Sequence, residues 1–218
     1  MSNITNDKVE KYITERTHAV SNIQEEMELY AKENVVPIVT RDTLALLKTI
    51  VHINKPYNIL EFGTAIGYSS IMICTELKGN CKITTIERNE KRYLKAIEYV
   101  KRAGFQDEID IINVDVLEAG AIIENGLYDL VFIDAAKGQY RLFFDMIFEK
   151  VRSGGIIISD NIFHKAMVCE PEICSVERRQ RTIYRRMNQY LDYLTTENES
   201  FYTTLVPIGD GLAITYKR

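Results

Sequence analysis

The stretch Asn58–Ser70, reading NILEFGTAIGYSS, constrains this chain more than any other. A short apolar run, Ile59 and Leu60, enters a loop holding Glu61, Gly63 and Gly67, and a helical pattern follows. A strand that turns through glycines into a helix lets backbone approach a ligand, with the helix N-terminus aimed at it. This is the form of a nucleotide-type cofactor loop in an α/β fold. An ordinary tight turn is the competing reading, because glycine pairs are common in such connections.

The acid in the loop bears on which cofactor it could hold. Dinucleotide loops read G-x-G-x-x-G, with the pyrophosphate seated on the turn. Here Glu61 stands at the first glycine position and Ile66 at the third. A carboxylate repels a pyrophosphate and attracts a sulfonium, so Glu61 points away from NAD and toward S-adenosylmethionine.

Around this loop the periodicity switches repeatedly. The first 35 residues read as a helical N-terminal extension, with Ser21 and Gln24 spaced as a capping box. A helix over Thr40–Ile53 would place Leu44, Leu47 and Val51 on one face. Strands are expected at Asn58–Phe62, Lys82–Glu87, Ile109–Val114, Tyr128–Asp134 and Ile156–Asp160. Helices fit between them at Ser69–Leu77, Asn89–Ala103, Leu117–Glu124 and Tyr140–Val151. Short apolar strands alternating with helices predict a parallel sheet covered on both faces. Phe201–Ile208 and Leu212–Lys217, joined by Gly209-Asp210-Gly211, predict a closing antiparallel hairpin. No repeat or linker divides the 218 residues, so one domain over 1–218 is expected.

Composition narrows the function classes. No apolar run reaches the ~18–20 residues needed to span a bilayer, and the N-terminus MSNITNDKVEKY lacks a signal-peptide core. The four cysteines have neither disulfide-framework nor zinc-site spacing, in keeping with a reducing cytoplasm. A net charge of −4 gives no global attraction to nucleic acid. Within that acidic chain, Arg178, Arg179, Arg181, Arg185 and Arg186 crowd one stretch without a lysine. Such a run suits phosphate recognition, with a solvated helix face as the alternative.

Ligands bind at the carboxyl ends of the strands in open α/β sheets. Glu61, Glu87, Asp115, Asp134 and Asp160 fall at those ends on five successive strands. Glu87, about twenty residues past the glycine loop, suits ribose hydroxyls. Asp134, Asp160 and Asn161 offer oxygen donors of the kind hard cations prefer, although Asp160-Asn161 could equally make an Asx turn.

Together LEFGTAIGYS, TIERN, DLVFIDAAKGQY, GGIIISDN and GDGLAI resemble the cation-dependent O-methyltransferases, the family of catechol and caffeoyl-CoA O-methyltransferases. The resemblance runs from about Val35 to the C-terminus. It implies a Rossmann-like class I methyltransferase fold: a seven-stranded, mostly parallel sheet with an antiparallel C-terminal hairpin and helices on both faces. It implies that Val36, Glu61, Gly63, Ser69, Glu87, Asp115, Val116 and Asp134 surround S-adenosylmethionine. It further implies that Asp134, Asp160 and Asn161 bind Mg²⁺ or Mn²⁺, with Lys137 as general base next to Asp134. A cation beside a lysine repels its charged form, which lets it accept a proton near neutrality.

The acceptor is the open question. Catechol enzymes carry a tryptophan at the position of Ala136, and this chain has no tryptophan, so a wider pocket is expected. The arrangement of IISDN and RRQRTIYRRMNQYL resembles bacterial tRNA 5-hydroxyuridine methyltransferases. That resemblance implies conversion of wobble 5-hydroxyuridine to 5-methoxyuridine, with Arg178, Arg179, Arg181, Arg185 and Arg186 on anticodon-region phosphates. A small catechol or phenylpropanoid acceptor is the alternative, and a non-catalytic cofactor-binding protein the second. The family also implies a homodimer, while the cysteine usage and the lack of a long apolar run lead to the expectation of a cytoplasmic protein with no membrane partner.

Overall fold

The computed structural model describes residues 7–17, 21–123, 127–169 and 178–218. Seven strands form one sheet in the order β3-β2-β1-β4-β5-β7-β6. They are β1 (Asn58–Phe62), β2 (Lys82–Ile86), β3 (Ile109–Ile112), β4 (Tyr128–Ile133), β5 (Val151–Asp160), β6 (Phe201–Val206) and β7 (Leu212–Lys217). The first five run parallel, and β7 lies antiparallel between β5 and β6. Chain order reverses direction between β1 and β4, which opens a crevice at their carboxyl ends.

The helices are α1 (Asp7–Thr14), α2 (Asn22–Glu33), α3 (Arg41–Asn54), α4 (Tyr68–Glu76), α5 (Glu90–Ala103), α6 (Gly120–Ile123), α7 (Tyr140–Ile147) and α8 (Arg178–Thr195). Local chemistry sets several ends. Ser21 caps α2 by accepting from the Gln24 N–H at 3.3 Å, and Asn89 caps α5 through Arg92 N–H at 3.1 Å. Gly104 closes α5 in the left-handed conformation.

Two apolar cores sandwich the sheet. One gathers Leu44, Leu47 and Val51 of α3 with Ile71 and Met72 of α4 against Ile59 and Ile83. The other joins Phe143, Phe144 and Ile147 of α7 to Met187, Tyr190 and Leu194 of α8, over Leu60, Phe62 and Val131. Strands buried on both faces read as continuous apolar runs, which is why β1 and β4 are so plain in the sequence. The Cys74 and Cys81 side chains lie in this interior as free thiols, Cys81 Sγ donating to Cys74 Sγ at 3.6 Å.

Most expected limits shift by one or two residues, and three elements differ by more. β5 begins five residues early, at Val151, because the Gly154-Gly155 pair lies inside a β-irregularity instead of before the strand. Val151 therefore belongs to β5, and after α7 a 3₁₀ turn over Phe148–Lys150 intervenes. The helix expected over Leu117–Glu124 breaks into a 3₁₀ turn, Val116–Glu118, and the single turn α6. Residue 124 lies outside the described residues.

Candidate active site

A cavity of about 320 Å³ opens at the carboxyl ends of the central strands. Gly63, Ala65, Glu87, Asp115 and Val116 line one side, and Asp134, Ala136, Lys137 and Asn161 the other. Gly63 has φ +103°, and a Cβ there would sit 1.9 Å from the Asp134 carbonyl oxygen. No side chain fits, so the glycine is what lets the loop after β1 lie against the end of β4.

The acids on the cofactor side are held by backbone. Glu87 accepts from the Ala65 N–H at 2.9 Å and the Asn89 N–H at 2.8 Å, which fixes both carboxylate oxygens at the cavity wall. Asp115 caps the following 3₁₀ turn through Leu117 N–H. Both retain lone pairs for ligand hydroxyls.

Glu61 is placed differently from these. Its carboxylate is 1% exposed and accepts hydrogen bonds from the hydroxyls of Ser69, Ser70 and Thr85. Burial pushes its carboxyl above the ordinary range, and the three hydroxyls work against that rise. Neither Glu61 nor Ser69 forms part of the cavity lining; together they brace the loop from beneath. Val36 borders a second hollow of about 240 Å³ with Tyr30, Asn34, Ile66 and Arg92. Arg92 lines both spaces.

Asp134 and Asp160 end up neighbours because β4 and β5 are paired in register through Ile133 and Ser159. Asn161 Nδ2 donates to Asp134 at 3.2 Å, and Asn161 N–H donates to Asp160 at 2.6 Å. Burial first, then the charge of Glu61, pushes Asp134 up to about 6. Burial, then the charge of Asp134, pushes Asp160 well above the carboxylate range. Among the described residues, no three of His, Cys, Asp and Glu converge on one point. A cation here would therefore rest on two carboxylates and one amide oxygen. Two mutually repelling carboxylates, Asp160 buried and Asp134 half-buried, beside an amide suit a hard divalent ion, so the donor set fits one.

Lys137 opens the 3₁₀ turn Lys137–Gln139 at the cavity wall. Its Nζ lies 3.3 Å from a carboxylate oxygen of Asp210, across 73 residues of sequence. Gly138 carries the turn to α8, where Arg186 Nη1 donates to the Gly138 carbonyl at 3.2 Å. Arg181, Arg185 and Arg186 are exposed, opposite the buried Met187 and Tyr190. Arg178 and Arg179 begin α8, and their side chains lie outside the description. The arginine helix thus borders the lysine turn, a proximity that the sequence spacing alone did not establish.

A further network ties the N-terminal helices to the cofactor loop. Tyr68, the first residue of α4, donates to Glu28 of α2 at 2.6 Å, and Arg41 of α3 donates to the same carboxylate. Gln24 completes it with a bond to the Tyr68 hydroxyl at 3.1 Å. Sequence reading missed Glu28, Arg41 and Asp210, because each acts on a partner distant along the chain. An aspartate set between two turn glycines was the one available signal for Asp210.

The family model for O-methyltransferases matches residues 15–218. An Arabidopsis thaliana protein described as a candidate caffeoyl-CoA O-methyltransferase is 32% identical over 170 residues, spanning 77% of this chain and 72% of its own. A candidate caffeoyl-CoA O-methyltransferase from Staphylococcus aureus superposes with a TM-score of 0.89 at 34% identity, over 97% of this chain and all of that one. The O-methyltransferase from Bacillus cereus, solved in complex with SAH, superposes at 0.83 over 97% of each chain with 24% identity. With the sheet order and glycine loop already described, these matches assign the chain to the O-methyltransferase family, of the caffeoyl-CoA O-methyltransferase type.

Proposed function

We propose that this chain transfers a methyl group from S-adenosylmethionine to one of two adjacent hydroxyl or oxo oxygens, with a divalent cation held by Asp134, Asp160 and Asn161. The observation that carries this reading is the pair of half-buried Asp134 and buried Asp160, which no cationic side chain neutralises by a hydrogen bond among the described residues. When bound, S-adenosylmethionine supplies an electrophilic methyl group and the cation supplies charge that favours an ionised acceptor oxygen. Glu87 and Asp115 offer oxygens to the ribose side of the cofactor, and Gly63 keeps its loop close to Asp134. Lys137 Nζ takes the proton from the acceptor hydroxyl, leaving an oxyanion as nucleophile. Ala135, Ala136 and Phe143 line the same cavity and restrict water there.

For the acceptor we propose 5-hydroxyuridine at the tRNA wobble position. Its 5-hydroxyl and 4-oxygen are adjacent, and an unpaired anticodon base can be splayed into a pocket at limited cost. The contact of Arg186 with Gly138, one residue from Lys137, supports this reading, because phosphate-binding arginines are then near the chemistry. A small phenolic acceptor is the second reading. The caffeoyl-CoA names of the relatives and the net charge of −4 favour it.

One assay separates them: transfer of labelled methyl, with Mg²⁺ or EDTA, to tRNA lacking the wobble methoxy group and to catechols. EDTA-sensitive methylation of that tRNA alone, with a salt dependence that weakens in an Arg181/Arg185 double alanine variant, supports the tRNA acceptor. Turnover of catechols with inert tRNA transfers the proposal to small phenols and leaves the arginines as a solvated face.

A further inference from the structure

The turn Gly209-Asp210-Gly211 looks in the sequence like a hairpin device and nothing more. In the structure its aspartate reaches three groups around the cavity. Asp210 Oδ2 lies 3.3 Å from Lys137 Nζ. Its Oδ1 accepts from the Lys165 N–H at 2.6 Å, and its backbone carbonyl accepts from Phe163 N–H at 3.0 Å. The adjoining Gly211 carbonyl accepts from Ile162 N–H at 3.0 Å. A Cβ on Gly211 would lie 2.1 Å from the Phe163 ring, so the turn and the loop after β5 fit closely.

That loop needs holding. Asn161, His164, Lys165 and Ala166 all have left-handed φ, at 56°, 47°, 58° and 64°. Non-glycine residues persist in such conformations when their surroundings over-determine them. Here the surroundings are the turn at Asp210, and the loop begins with Asn161 of the candidate cation site.

We propose that Asp210 is the positioning residue of the reaction, one carboxylate oxygen fixing Lys137 and the other fixing the loop that carries Asn161. The proposal rests on Lys137 as the proton acceptor. When the acceptor hydroxyl gives its proton to Lys137 Nζ, the ammonium forms beside a carboxylate that is only 17% exposed. Asp210 orients the amine and stabilises the cation that results, as the acid of a catalytic triad does for its histidine. The proton leaves from Lys137 to solvent after methyl transfer.

Asp210→Asn keeps an oxygen for the Lys165 N–H and removes the charge facing Lys137. With the acceptor that the wild type turns over, tRNA or catechol, this variant should lower kcat about 10–100-fold with the KM for S-adenosylmethionine nearly unchanged. In a Lys137→Met background the same substitution should cost less than about twofold, since the groups act as a unit. A readout independent of turnover is acylation of lysines in the cation-free protein by an N-hydroxysuccinimide ester, mapped by peptide mass spectrometry. Lys137 should react several-fold faster in Asp210→Asn than in the wild type. An equal loss of kcat in both backgrounds, or unchanged Lys137 acylation, overturns the role of Asp210 alone. Wild-type turnover in Lys137→Met overturns the proton-acceptor assignment and the role of Asp210 with it.

Discussion

Glu61, Asp160 and the half-buried Asp134 are acids at the same edge of one sheet, and the protein surrounds Glu61 and the Asp134–Asp160 pair in opposite ways. Three hydroxyls converge on Glu61, so its lone pairs are used inside the fold. Asp134 receives one amide N–H, and Asp160 one backbone N–H from the same residue. Burial alone therefore does not mark a site. What distinguishes the Asp134–Asp160 pair is a shortage of donors, with Asp134 and Asn161 on the cavity wall and Asp160 directly behind them, which is how a protein keeps coordination capacity for something else.

The contrast can be broken by substitution. The largest effect is expected at the pair: Asp134→Asn should reduce methyl transfer by about 10²–10³-fold, read with labelled S-adenosylmethionine, with the fold intact by circular dichroism. Normal turnover in that variant would remove the pair from the chemistry. At Glu61 the damage should be to folding instead. Glu61→Ala strands buried hydroxyls and leaves a void, and urea unfolding should show a loss of about 3 kcal/mol.

A smaller change of opposite sign is expected from Asp160→Asn. Removing the buried member of two mutually unfavourable carboxyl groups should raise the melting temperature of the cation-free protein by a few degrees, about 1 kcal/mol. The wild type should melt higher on addition of Mg²⁺, and this variant should lose most of that response. If Mg²⁺ moves neither, the cation site is not where the donors suggest.

The smallest effect concerns Glu28, which sharpens the distinction between acids kept for structure and acids kept for function. Burial acts to raise its carboxyl, but the hydrogen bonds from Arg41, Tyr68 and Gln24 outweigh it and hold the group below the ordinary 4.5. A depressed carboxyl contributes stability above its unfolded value and loses it as pH falls through the folded value. The wild type should therefore exceed Glu28→Gln in stability at pH 6, and the gap should close below about pH 4. A gap constant across that range would mean that the charge of Glu28 is immaterial.

The sheet and most of its polar edge were readable from the chain, because parallel strands are apolar throughout and the acids follow directly at their ends. Asn58–Phe62 and Leu212–Lys217 have the expected limits. The Gly154-Gly155 pair misled, since glycine punctuates both turns and bulges. Glu61 was legible as an important position, but its three hydroxyls were not: Thr85 comes from a neighbouring strand, and periodicity carries no information about which side chain meets which. The same limit hid Asp210 and the Glu28 network, whose partners are joined by tertiary structure alone.

The contact between Gly63 and the carbonyl of Asp134 has a consequence for how such an enzyme can change its preferences. The loop after β1 and the end of β4 share one wall without space for a methyl group between them, so a mutation that reshapes one half of the pocket displaces the other. Changes in acceptor preference are then expected away from that wall, on the side of Ala136 and Lys137, whose turn Arg186 of α8 contacts through Gly138. A lineage built on this scaffold can diversify what it methylates while the machinery that delivers the methyl group stays fixed.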